Sequence, residues 1–87
     1  MAQPVPEYQA LGRAIRQIRT ERGLSQEALG LEAGLDRTFV SSAERGRRNL
    51  SYSSILKLAA ALEVKASRII STAEGLLEQE DDTGAVG

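Results

Sequence analysis

The chain has 87 residues and a formal net charge of −1, a length that allows one compact core. It contains no cysteine and no histidine, which excludes a disulfide framework or a thiolate metal site and removes the commonest general base and metal ligand. We therefore expect no enzymatic activity, metal or cofactor. No apolar run approaches the roughly 20 residues that span a membrane, and the N-terminus lacks a signal-peptide layout, so we expect a cytoplasmic protein.

Apolar residues at helical spacing predict five helices and no strand. Helix 1 is predicted from about Tyr8 to Arg22, and two short helices follow it. Helix 4 starts after Ser51 as N-cap, and helix 5 covers about Ala66 to Gln79. The predicted fold class is therefore all-α, a compact five-helix bundle.

Both ends of the chain differ in composition from this bundle. Residues 1–7 include two prolines and are predicted to form a flexible arm. Residues 8–80 are predicted to form the single folded domain. The small and acidic residues at 81–87 are predicted to be a disordered tail.

The middle of the chain, residues 24–51, predicts two short helices around a glycine turn. Ser25 is a favourable N-cap for the first of them. Gly34 ends that helix, because glycine adopts the left-handed turn conformation without strain. Asp36 is expected to cap the next helix, which runs from Arg37 to about Arg45. This pattern is typical of a helix-turn-helix, whose second helix enters the major groove of DNA.

The basic residues are concentrated around this segment. All 11 Lys and Arg lie between Arg13 and Arg68, against six acidic residues there, so the stretch carries +5. Five acidic residues from Glu74 to Asp82 give the C-terminal end −5. Binding of a polyanion depends on the charge of the contacting face more than on the whole-chain pI. The distribution favours a basic DNA-binding face over ordinary solvated surface.

Several side chains of the segment have the chemistry to contact DNA. Arg37 and Thr38 open the second helix, where arginine can grip the O6 and N7 atoms of guanine and a threonine methyl can touch a thymine methyl. Ser41 and Ser42 are further candidates for base reading, the alternative being small, inert surface residues. Gln26 opens the first helix, where the backbone amide and the helix dipole can hold a phosphate.

A basic loop follows the second helix. Its polar residues are predicted to hold the DNA backbone, which fixes register without reading sequence. They are Arg47, Arg48, Asn49 and Ser51.

These motifs resemble the Cro/repressor-like (XRE-type) helix-turn-helix family from about Leu11 to Ile70. The resemblance rests on Ile15–Arg19, Gly23–Glu27, Gly34–Leu35, Val40–Ser41, Glu44–Gly46 and Ala59–Val64. The strings Leu35–Ser41 and Arg48–Ser51, with Glu44–Arg45, are similar to the controller proteins of restriction-modification systems, which are small dimeric autoregulators.

The resemblance implies roles for individual residues. It places base reading at Arg37, Thr38 and Ser42, and a phosphate contact at Gln26. It also implies a structural ion pair between Arg19 and Glu44. In the controller-like version, Arg48 and Asn49 also approach the minor groove.

One recognition helix reads too few base pairs for specificity in a genome. A two-fold dimer reads two half-sites about one DNA turn apart, so the expected partners are a second copy of the chain and a two-fold symmetric double-stranded operator. We predict a dimer interface on helix 5 and the start of helix 4, with the same stripe packing into its own core as the alternative. The interface candidates are Tyr52, Ile69, Ala73 and Leu76.

The predicted function is a sequence-specific DNA-binding transcriptional regulator, in particular an autoregulating restriction-modification controller. RNA polymerase is a further partner if the protein activates transcription. A phage, plasmid or stress-type repressor is an alternative within this class. An antitoxin-like protein-interaction module is the alternative from another class.

Overall fold

Five helices and their connections form the computed structural model, which describes the backbone of residues 3–86 and the side chains of residues 3–79. No strand occurs in the described backbone, and the predicted all-α, five-helix architecture is confirmed. The helices are α1 (Pro6–Glu21), α2 (Gln26–Ala33), α3 (Arg37–Glu44), α4 (Tyr52–Leu62) and α5 (Ala66–Val86).

The two terminal helices begin or end beyond their predicted bounds. Helix α1 starts at Pro6 with proline in its first turn, so the predicted arm at 1–7 reached two residues too far. Proline suits this place because its missing N–H needs no partner there and its fixed φ angle is already helical.

Helix α5 continues past Gln79, its predicted end, to Val86. The disordered state predicted for 81–87 stays a prediction, since the side chains from Glu80 onward and all of Gly87 lie outside the described residues. In the part of the chain that is described, no helix is long and apolar enough to cross a membrane.

Helix α1 is the centre of the core. It packs most extensively along α5 and also contacts α3 and α4, while α2 packs against α3 and α4. Burial of these apolar faces drives the association of helices too short to be stable alone. The largest fully buried side chains are Ile15, Ile18, Leu29, Val40, Leu58, Leu62 and Ile69.

Glu63 ends α4 in the left-handed conformation, with φ 58°. A left-handed non-glycine residue costs about 1–2 kcal/mol, whereas glycine adds about 0.5–1 kcal/mol of entropy cost. We therefore expect Glu63→Gly to raise the free energy of unfolding by about 0.5–1 kcal/mol, measured by thermal denaturation. Arg22 Nη2 donates to the main-chain oxygen of Glu63 at 2.9 Å, and this hydrogen bond survives the substitution.

Glu63→Ala is the matched control, because it removes the carboxylate but keeps Cβ in the strained conformation. If the glycine variant is no more stable than the alanine variant, backbone strain at this position is negligible.

Candidate nucleic-acid interface

Helices α2 and α3 are joined by the tight turn that the sequence predicts. Ser25 Oγ accepts from the backbone N–H of Ala28 at 3.0 Å and caps α2. Gly34 follows with φ 70°, and the N–H of Leu35 donates to the carbonyl oxygen of Gly30 at 2.8 Å. The three residues 34–36 therefore lead the chain from α2 into α3, and the hydrogen bond from Leu35 pairs one of the carbonyl groups at the end of α2.

The expectation for Asp36 is wrong in one respect. Asp36 occupies the N-cap position of α3 in an extended conformation, but its side chain makes no capping hydrogen bond. The first backbone N–H groups of α3 therefore receive no hydrogen bond from the Asp36 side chain. Helix α3 as a whole packs against α2 and α1.

The inner face of α3 is buried and its outer face is accessible. Val40 and Ala43 are 0% and 2% exposed and anchor the helix in the core. The four predicted base-reading residues avoid this face: Arg37 and Thr38 are exposed, and Ser41 and Ser42 are half-buried. The fold therefore presents one guanidinium group and three hydroxyl groups along a single short helix.

Sequence analysis missed Arg45 as part of this surface. Its Nη2 atom donates to Ser41 Oγ at 2.7 Å, and its side chain is exposed. The available signal was the four-residue spacing from Ser41, which places both side chains on one face of a helix. Ser41 still has a hydroxyl proton to donate, because it acts as the acceptor in this bond.

The predicted ion pair between Arg19 and Glu44 is confirmed. Arg19 Nε donates to Glu44 Oε2 at 2.6 Å, and Arg19 Nη2 donates to Oε1 at 3.0 Å. The two side chains are only 12% and 3% exposed. The hydrogen bond to Glu44 raises the pKa of Arg19 and outweighs the lowering effect of burial. The pair ties α1 to the end of α3.

Gln26 belongs to the same network. Its Nε2 atom donates to Glu44 Oε1 at 3.0 Å, while Arg19 Nη1 donates to the carbonyl oxygen of Leu24 at 2.8 Å. One carboxylate thus links the start of α2 to the end of α3. Gln26 is held in one orientation and keeps a second amide proton for another acceptor.

The loop after α3 exposes residues that are predicted to bind the DNA backbone. Arg47, Arg48 and Asn49 are exposed, whereas Leu50 between them and α4 is buried. The hydroxyl of Ser51 accepts from the backbone N–H of Ser54 at 3.1 Å and caps α4. The loop is therefore anchored at its C-terminal side while its charged residues face solvent.

The structure corrects the predicted dimer interface. Ile69 and Ala73 are 0% and 8% exposed within the single chain, since α5 packs along α1. Both belong to the chain's own core and offer little or no surface to a partner. Leu76 is half-buried against the same core. Tyr52 keeps its place as a candidate with 72% exposure.

The structure contains two short helices joined by a three-residue turn, with a polar outer face on the second helix and an arginine-rich loop beside it. This arrangement defines a helix-turn-helix DNA-binding protein. The model of the Helix-turn-helix family matches residues 15–69. The chain belongs to this family of DNA-binding transcriptional regulators, as the XRE-type resemblance implies.

Similarity extends to individual proteins. The control protein C.BamHI of Bacillus amyloliquefaciens is 41% identical over 71 residues, which cover 79% of this chain and 88% of that protein. A hypothetical transcription factor of Neisseria meningitidis is 48% identical over 56 residues, which cover 64% of this chain. This match spans only 53%, about half, of the Neisseria protein.

A solved structure is similar in both fold and sequence. The restriction-modification controller protein C.AhdI of Aeromonas hydrophila superposes with a TM-score of 0.74 at 43% identity. The match covers 75% of this chain and 98% of that one. Similarity to two controller proteins over most of their length supports the more specific of the two resemblances.

Proposed function

We propose that this protein is the controller of a restriction-modification system and regulates its own gene by binding a two-fold symmetric operator as a dimer. The observation that carries this proposal is the exposed α3 face and arginine loop within a chain that matches C.BamHI over 88% of its length. Binding of this kind needs no chemical step, so the proposal includes no enzymatic activity and no cofactor. The site of action is the cytoplasm.

Within the proposed complex, α3 reads bases and its neighbours hold phosphates. Arg37, Thr38, Ser41 and Ser42 face the major groove, and Arg45 extends this surface by one turn. Gln26 and the loop residues Arg47, Arg48, Asn49 and Ser51 hold the DNA backbone. Phosphate contacts of this type position the protein, whereas contacts to base edges give specificity.

The first test is affinity selection of genomic DNA fragments at physiological salt with wild type, Arg37→Ala and Lys65→Ala. We expect the wild type to enrich one two-fold symmetric site. Arg37→Ala should lose about 1–3 kcal/mol at this site, because a bidentate contact to guanine disappears. Lys65 is equally charged and exposed but lies outside α2, α3 and the loop, so its variant should bind almost as well as wild type.

The genes beside the enriched site decide the finer assignment. A site ahead of this gene and of restriction-modification genes supports the controller role, whereas a site elsewhere indicates a general repressor. In transcription reactions reconstituted with RNA polymerase, the same site shows activation or repression. A folded protein that enriches no site contradicts the proposal and favours an antitoxin-like interaction module.

We further propose that the dimer forms through the exposed apolar residues of α4 and α5. Tyr52 and Leu56 lie one helical turn apart on α4 and are 72% and 43% exposed, and Ile70 on α5 is 40% exposed. Helices α4 and α5 pack against each other. Contact between these surfaces in two copies removes apolar area from water.

The expected result for Leu56→Glu is a dimer dissociation constant raised by roughly tenfold or more, about 1.4 kcal/mol, measured by sedimentation equilibrium. Leu31 on α2 is 78% exposed and lies on neither α4 nor α5, so Leu31→Glu serves as the matched control. If both variants dimerise as tightly as wild type, the interface lies elsewhere. If only Leu31→Glu dissociates, the interface includes α2.

A further inference from the structure

Phe39 and Arg48 form a contact between the recognition helix and the loop that follows it. The guanidinium carbon of Arg48 lies over the Phe39 ring, 4.7 Å from its centroid. Phe39 is half-buried on the side of α3, with only part of its ring packed against the core. Among the described residues, the Arg48 side chain makes no hydrogen bond or ion pair, so the Phe39 ring is the partner of its charged end.

Comparison with the neighbouring residue Arg47 shows how the ring restrains the Arg48 side chain. Arg47 is also exposed in the same loop, but its side chain makes no hydrogen bond, ion pair or ring contact within the described part of the chain. An arginine without a partner loses rotamer freedom when it binds a phosphate. A cation–π contact restrains the side chain in advance and leaves the N–H donors of the guanidinium available.

We propose that Phe39 is a positioning residue for DNA binding, which holds the Arg48 guanidinium in place before DNA arrives. The proposal rests on the proposed function, in which Arg48 contacts the DNA backbone. Because the ring belongs to α3, the contact also ties the loop that holds the DNA backbone to the helix that reads the bases. A phosphate held by Arg48 then fixes the register in which α3 meets the bases.

A double-mutant cycle with purified protein and the selected operator tests this role. Phe39→Leu keeps an apolar side chain but removes the ring, and we expect about two- to fivefold weaker binding. Phe39→Tyr keeps the ring and should bind like wild type. The loss should vanish in an Arg48→Ala background and persist in full in an Arg47→Ala background. Thermal unfolding of each variant shows that it is folded at the temperature of the measurement.

The salt dependence separates positioning from direct contact. Arg48→Ala should reduce the slope of log affinity against log salt by about 0.9, since one phosphate contact is lost. Phe39→Leu should leave this slope unchanged, because Arg48 still reaches its phosphate in the complex. If both variants reduced the slope equally, Phe39→Leu would abolish the phosphate contact of Arg48 itself, and this result would contradict a positioning role.

Side-chain NMR of the free protein measures the restraint directly. We expect a higher Nε order parameter for Arg48 than for Arg47, and a fall for Arg48 alone in Phe39→Leu. Equal mobility of the two arginines in wild type would overturn the positioning role, as would a Phe39→Leu loss that persists in the Arg48→Ala background. Failure of the wild type to bind any operator would instead overturn the proposed function, and the DNA role of Arg48 with it.

Discussion

Arg19→Ala is expected to lower the free energy of unfolding by about 3–5 kcal/mol, because it leaves the buried Glu44 carboxylate without its charged partner. For a domain of this size, such a loss lowers the melting temperature by roughly 12 °C or more. Glu44 would keep only the hydrogen bond from Gln26 Nε2. Urea denaturation followed by circular dichroism measures the change. Glu44→Gln, which keeps an acceptor without charge, should lose less.

Arg22→Ala provides a matched control from the same helix end. Arg22 pairs with the Glu63 carboxylate at 3.4 Å and donates to its main-chain oxygen at 2.9 Å, but the two side chains are 41% and 79% exposed. Exposed pairs contribute about 0–1 kcal/mol because water and salt screen them. Equal stability losses in the two arginine variants would contradict the buried network as the source of the effect.

The Arg19 result also governs how DNA-binding data are interpreted. Arg19 is nearly buried and faces Glu44, so we expect its variant to lose binding through unfolding. Measured below its own melting temperature, Arg19→Ala should recover most of its affinity, whereas Arg37→Ala should not. A persistent loss by folded Arg19→Ala would indicate that the network also positions Gln26 for a phosphate.

Gly12→Ala is expected to destabilise the protein by about 3 kcal/mol or more, since α1 and the end of α3 touch backbone to backbone there. A Cβ atom at Gly12 would overlap the carbonyl oxygen of Ala43 and lie 2.6 Å from that of Glu44. Overpacking a core costs typically about 1–3 kcal/mol, and here the displaced atoms are backbone atoms that also place the Arg19–Glu44 pair. Chemical denaturation measures the loss.

The same substitution at Gly75 should have the opposite sign. Gly75 lies within α5, and a Cβ atom there would meet nothing within 4 Å. Alanine is favoured over glycine in a helix interior by about 1 kcal/mol, so Gly75→Ala should stabilise the protein. If Gly12→Ala were stabilising as well, α1 and α3 could separate without cost and the packing at this crossing would be loose.

Much of the interface could be predicted because its determinants are local. Ser25 and Ser51 cap their helices as expected, since an N-cap hydroxyl needs only a backbone N–H three residues later. Gly34 forms the turn because few other residues adopt a left-handed φ angle easily. The Arg19–Glu44 pair spans 25 residues, and only the family resemblance could predict it.

The sequence by itself determined the five helices, the turn and the exposed face of α3, because periodicity, capping and glycine conformation act within a few residues along the chain. Only the tertiary structure decided which apolar residues of α5 belong to the chain's own core. Ile69 and Ala73 are buried because α5 packs along α1, and Gly30 leaves room for the carbonyl oxygen of Leu35, 2.6 Å from where a Cβ would stand. The contact of Arg48 with Phe39 depends likewise on how the loop folds back over α3, because an apolar or cationic side chain carries no local signal of which surface will cover it.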